Sequence, residues 1–297
     1  MLKKRNVFFW LLSLLILIGI SGETHNVEKA KSQETNASVI KLTKNISRIT
    51  LQFGLRPNTA ALTGPDGVLL VDTGHKDVAD QLVLTVKELK KGAIKYIINT
   101  HLHHDHAGGN DIAGKNAEII NLNNLSQCVS KGVVSQSKEE LKGKSGTPLG
   151  KFYLLNFNGE QIKLIPYPGV HSSTDLIIYF SSSGVAHMGD LLLTQSFPAV
   201  GPNVQKYMGF LEIIIDFFPS ETKFIGGHGR DYSMNDLKEY QKMLLTTIEI
   251  VRREMKNGKT VEETKSAKVL ERWKDWGVYL EFLNTDYWIN AVYISYQ

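Results

Sequence analysis

Apolar and polar positions alternate through residues 38–53 ("SVIKLTKNISRITLQF"), a period of two that predicts paired strands. A Gly-Pro-Asp-Gly turn at 64–67 then feeds an apolar run ending in Asp72-Thr73-Gly74, which predicts another strand. Helical spacing follows over 76–91, with Gly92 placed to stop it, and a further apolar strand comes next, "AIKYIINT". "AEIINL", "KFYLLNF" and "QIKLIPYP" also read as strands, and "DLIIYFSSSGVAHMGD" as a hairpin turning at 181–184. Between them the polar stretch 138–150 ("KEELKGKSGTPLG") reads as a surface excursion. Strand, helix and strand in succession is α/β logic, and ligand sites in such folds collect beyond the carboxyl ends of strands. The strand-rich second half has the character of the first, although no repeat is visible in the residues themselves.

From residue 233 the period changes to helical. Leu237, Tyr240, Leu244, Ile248, Val251 and Met255 share one side of a predicted helix that stops at Asn257-Gly258. Thr260 with Glu263 makes a capping box for another helix. The aromatic residues of the tail, Trp273, Trp276, Tyr287, Trp288, Tyr293 and Tyr296, are expected to pack in a core.

The first residues carry a different signal. Lys3, Lys4 and Arg5 precede an unbroken apolar run over 7–20 and the small residues Ser21 and Gly22, the layout of a secretory leader. The expected organisation is a leader or uncleaved anchor at 1–22, a polar linker at 23–37, a catalytic domain at 38–232 and a helical extension at 233–297. Export follows, to a periplasm or the exterior, with a membrane involved only if the leader stays attached. Cys128 is the one cysteine of the chain, so no internal disulfide can form, and it reads as a buried structural thiol. With 297 residues, 42% of them hydrophobic, the chain can bury a full core. A net charge of +4, part of it in the leader, gives no electrostatic case for nucleic acid as a partner.

The chemistry concentrates in "INTHLHHDHAGG", residues 98–109, just after an apolar strand. His101 and His103 lie two apart; on a strand end they point the same way and can grip one ion. Asp105 and His106 follow once the turn has begun and can reach a second ion, while His104 faces away. Gly108 and Gly109 ease the bend. A metal site needs further donors, and His171 in "PYPGVHSSTD", Asp190 in "VAHMGD" and His228 in "FIGGHGRD" each fall at a strand-to-loop transition.

His101-x-His103-x-Asp105-His106, followed in order by His171, Asp190 and His228, resembles the metallo-β-lactamase-fold hydrolases, over about residues 58–238 and with the Asp72-Thr73-Gly74 turn included. "HSSTDLIIYF", "VAHMGDLLL" and "GGHG" are similar to an exported subgroup of metallohydrolases. The resemblance implies a four-layer αββα sandwich, with the helical extension at its C-terminal end. It implies two zinc ions, the first held by His101, His103 and His171, the second by Asp105, His106 and His228, with Asp190 between them. Asp72 would orient a ligand histidine. Aspartate at 190, where some antibiotic-hydrolysing members carry cysteine, resembles the thioesterase, lactonase and phosphodiesterase branches, and its hard oxygen leaves iron or manganese open beside zinc.

Such a site hydrolyses with a water whose pKa the ions lower from 15.7 to about 7, with Asp105 orienting that water and handling its proton. The expected substrate is a small molecule with an amide, ester, thioester or lactone bond, β-lactams included. A phosphodiesterase is one alternative; a metal-binding or sensing module without catalysis is another. Ser172 and Ser173 read as loop residues with no nucleophilic role. Phe53, Phe197, Tyr207 and Phe210 are candidate pocket walls, His75 a candidate rim residue, and His187 is expected to be satisfied inside the sandwich.

Overall fold

The structure is a computed structural model and describes residues 37–90, 92–277 and 280–297, so the leader and linker expectations lie outside it. Its strands fall into two six-stranded sheets. The first runs β1 (Ala37–Lys41), β2 (Ile46–Leu51), β3 (Asn58–Gly64), β4 (Gly67–Val71), β5 (Ile94–Ile98) and β6 (Glu118–Ile120), side by side in chain order. The second holds β7 (Ser135–Lys142), β8 (Pro148–Phe157), β9 (Glu160–Pro166), β10 (Leu176–Phe180), β11 (Val185–His187) and β12 (Lys223–Ile225), again in order. Each sheet is antiparallel at its start and parallel at its end, across β4–β5–β6 and across β11–β12, so the architecture repeats although the residues do not.

Strand alternation sorts the core. Leu62, Leu69, Val71 and Ile98 face inward against Leu164, Leu176, Ile178 and Phe180 of the other sheet. Their neighbours Ala61, Val68, Leu70 and Ile97 face outward onto Val78 and onto Leu82 and Val86 of helix α1 (Ala79–Leu89). A one-residue slip would exchange these faces, and each buried aliphatic side chain contributes roughly 1.5–3 kcal/mol, so register is held by burial. Short helices α2 (His104–Ala107), α3 (Asn110–Ala113) and α4 (Leu125–Ser130) follow. Cys128 is buried in α4.

On the far side Ile177, Tyr179, Ala186 and Phe224 pack under α5 (Val204–Phe217), α6 (Met234–Lys256) and α8 (Thr285–Tyr296), completing helix, sheet, sheet, helix. The apolar stripe of α6 is buried through Leu237, Tyr240, Leu244, Ile248 and Val251. Thr260 caps α7 (Val261–Ser266) with Glu263. Trp288 of α8 is fully buried, stacked on Phe197.

Two expectations need correction. The polar stretch 138–150 is no excursion: β7 and the start of β8 pair through it. An edge strand with one exposed face shows little apolar alternation, and of β7 only Leu141 is buried. The expected walls Phe197, Tyr207 and Phe210 are core residues at 0–1% exposure, whereas Phe53 is partly buried near the site. Among the described residues no helix is long and apolar enough to cross a membrane.

Candidate metal centre

Strand β5 ends at Ile98, three residues before His101, so the clustered histidines lie in the turn beyond the strand. His103 caps α2 from an extended conformation (φ −68°, ψ 153°) and stays exposed, while His101 and His106 are buried. His101 therefore offers Nε2 and His103 offers Nδ1, 3.1 Å apart, rather than two rings pointing alike from a strand. His171 Nε2, from the β9–β10 loop, comes within 3.2 Å of the same His103 Nδ1.

The tautomers follow from what each ring touches on its far side. A carbonyl can only accept, so His171 Nδ1–H donates to Ala199 O (3.1 Å) and His228 Nδ1–H to Leu55 O (2.7 Å). His106 Nδ1–H donates to Asp72 Oδ2 at 2.8 Å. The Thr100 hydroxyl gives its proton to Asp72 Oδ2 (2.7 Å) and so accepts from His101 Nδ1–H (3.0 Å). Four imidazoles thus turn their Nε2 atoms inward, the arrangement that fixes a ligand histidine.

Those nitrogens form two groups. His101, His103, His171 and Asp190 bring one donor atom each within 4.8 Å of one another, and Asp105, His106 and His228 do the same. Asp190 faces both. Its Oδ2 lies 3.4 Å from His171 Nε2 and 3.9 Å from His101 Nε2. Its Oδ1 lies 3.2 Å from His106 Nε2 and 3.5 Å from His228 Nε2. Oδ1 is buried and makes no hydrogen bond, an orphaned acceptor of the kind a cation satisfies. Lone pairs converging from several imidazoles repel one another unless something positive sits between them. The donor set therefore fits divalent metal.

Electrostatics agree. Burial holds the His101 ring down at about 3, with His106 adding to the effect, so it stays neutral. Burial alone would push Asp105 up, but the His228 hydrogen bond and the His106 charge outweigh it and hold the carboxyl at about 2. Burial opposes charge on His106 as well, yet Asp190 and Asp72 on either side raise it well above the usual imidazole range.

The backbone is shaped for this. Asp72 takes a left-handed conformation (φ 63°), which lets its carboxylate accept from both the Thr100 amide (2.8 Å) and His106. A Cβ on Gly227 would fall on Asp190 Oδ1, so only glycine fits there. His75, His104 and Asp105 share a cavity of about 290 Å³ with Phe53, Leu55 and Pro57. His187 is fully buried, its Nε2 bonded to Asn58 O at 3.1 Å. Sequence reasoning missed Thr100 and the carbonyls of Leu55 and Ala199; Thr100 adjoins His101, but nothing in a sequence marks a carbonyl.

A family model described as the metallo-beta-lactamase superfamily matches residues 54–249. The chain belongs to that superfamily. Its members are generally hydrolytic metalloenzymes, and this metallo-β-lactamase superfamily chain carries the fold together with a His/Asp cluster able to hold metal. It is 26% identical over 208 residues to the "Beta-lactamase-like protein 2 homolog" of Drosophila melanogaster, covering 65% of this chain and 66% of that protein. The chain thus spans slightly under two thirds of that relative. A metallo-beta-lactamase from Pontibacter korlensis shares the fold at a TM-score of 0.55 and 16% identity, over 70% of this chain and 98% of its own. The stereoselective inverting sec-alkylsulfatase Pisa1 from Pseudomonas sp. does so at 0.60 and 15%, over 88% of this chain and 50% of its own.

Proposed function

We propose that the chain is an exported hydrolase that holds two zinc ions and cleaves an amide, ester, thioester or lactone bond in a small molecule. His101, His103 and His171 would hold one ion and Asp105, His106 and His228 the other, with Asp190 serving both. The observation that carries this reading is the Asp190 carboxylate, which turns one oxygen toward each group and leaves Oδ1 without a hydrogen bond. Imidazole-rich donor sets suit zinc. When bound, the ions supply Lewis acidity, lowering the pKa of a water toward neutrality and polarising the oxygen of the scissile bond.

The chain's own residues do the rest. Asp105 borders both its donor group and the cavity, so it can accept a hydrogen bond from a water and orient it. A carboxyl held at about 2 keeps a proton poorly, which favours the orienting part of its role over proton storage. Phe53, Leu55 and Pro57 offer an apolar wall for the acyl side of a substrate. The basic, apolar and small-residue succession at 1–22 supports export.

The test is turnover by zinc-loaded protein over nitrocefin, a homoserine lactone, a thioester and a phosphodiester. Hydrolysis of one of the first three, abolished by chelator, is the expected result. Turnover of the phosphodiester alone would move the chain to that branch. Failure of all four with zinc fully loaded would sink catalysis and favour a metal-binding module.

A further inference from the structure

We propose that the C-terminal helix α8 is a positioning element of the metal centre, with Tyr287 setting the orientation of His171 through the carbonyl of Ala199. Helix α8 lies beyond residue 249, where the family match ends. The Tyr287 hydroxyl nevertheless accepts from the amides of Val200 and Gly201, both at 3.1 Å, and donates to Pro198 O at 3.3 Å. A phenol has one proton and two lone pairs, and all three are used on the residues that flank Ala199. The Ala199 carbonyl in turn accepts from His171 Nδ1–H.

More of the tail straps the same loop. Gly277 N–H donates to Gln195 O at 2.9 Å. Ser295 Oγ donates to Pro202 O (2.6 Å) and accepts from Val204 N–H (3.2 Å). Ala199 itself packs against Leu193, Leu280 and Leu283. His101 and His106 are instead held from the strand ends by Thr100 and Asp72. His171 depends on a loop carbonyl, and that loop is held by a segment outside the family match. Removing the Tyr287 hydroxyl frees the Gly201 amide and leaves Val200 N–H only its short backbone bond to Pro198 O (3.0 Å), so the turn slackens, the Ala199 carbonyl loses its aim and the imidazole its tautomer.

The proposal rests on the reading that His101, His103 and His171 hold an ion, but the orientation of His171 can be measured without one. In metal-free full-length protein, nitrogen NMR shifts of the His171 ring report which nitrogen carries the proton. The wild type is expected to show the Nδ1–H form, and Tyr287→Phe a mixture of both. In zinc competition against a chromophoric chelator, Tyr287→Phe is expected to weaken one of two zinc sites by about tenfold and spare the other. Tyr293→Phe is the control, since that hydroxyl of the same helix bonds Thr264 Oγ1, Lys259 O and Thr260 O instead of the loop. It is expected to leave both the ring and the zinc affinities at wild-type values.

An unmoved His171 ring in Tyr287→Phe, or equal changes in the two variants, overturns the proposal. If Tyr287→Phe is not recovered folded, Ser295→Ala takes its place under the same criteria. Wild-type protein that takes up no zinc overturns the metal reading, and the tautomer comparison still decides the positioning role.

Discussion

The two halves of the sandwich supply the metal centre in different ways. The first places four donors within 101–106 and secures two of them with side chains: Asp72 on His106, and Thr100 on His101. The second places His171, Asp190 and His228 on three separate segments, and its two histidines rest on main-chain carbonyls, Ala199 O and Leu55 O. A side-chain anchor can be deleted in one substitution. A carbonyl anchor can be moved only by loosening whatever holds its loop, so the second half spreads its dependence across packing and backbone.

The hardest test of this contrast lies in the contiguous motif. His103→Ala removes the donor on which His101 and His171 converge, and hydrolysis and one equivalent of zinc are expected to fall together, activity by more than about 100-fold. His104→Ala, in the exposed next position, is expected to leave zinc content and rate near wild type. Equal damage from the two would mean that the inward-facing rings have been misassigned.

The seam between the halves is open to pH. His187, on the second sheet, bonds Asn58 O on the first, and its burial holds the ring down at about 4 against an ordinary 6.5. The unfolded chain then binds the extra proton between those values, so stability is full above pH 6.5 and falls as pH drops toward 4. The size is about 3 kcal/mol. Urea unfolding of metal-free protein should show the wild type losing that much relative to His187→Gln from pH 7 to 4. A difference that stays flat with pH would place the ring in water.

Asp72→Asn keeps a residue type that tolerates the left-handed backbone but removes the charge behind both strand-end histidines. Zinc affinity is expected to drop about 10- to 100-fold, more at the site containing His106, which touches Asp72 directly, than at the site reached through Thr100. The smallest effect belongs to the second half. Ser172→Ala deletes one of several bonds to Asp175, which also receives the amides of His171 and Ser172. A loss of about 1 kcal/mol in stability, with the rate within a few-fold, is expected. Complete inactivation would show that Ser172 does more than brace the His171 loop.

The same contrast decides what could be read from sequence. The clustered donors announce themselves because imidazoles and a carboxylate at that spacing have few other uses, and the structure gathers the seven candidate donors into two groups, with Asp190 facing both. The amphipathic stripe of α6, the 181–184 hairpin turn and the enclosed His187 were equally plain, each resting on a local pattern. Phe197, Tyr207 and Phe210 were misread as walls because a large apolar residue looks the same whether it lines a cavity or fills a core. β7 was missed because an exposed edge strand has little reason to alternate. The carbonyls behind His171 and His228 were invisible in principle, since every residue has one and only the fold selects which is used.

Gly227 carries no functional group, yet it sets the tolerance of the whole centre. Because even a methyl at that position would occupy the space of the Asp190 oxygen, the smallest possible change there reaches both donor groups at once. In a mutational scan this glycine would score like a catalytic residue while contributing nothing but room.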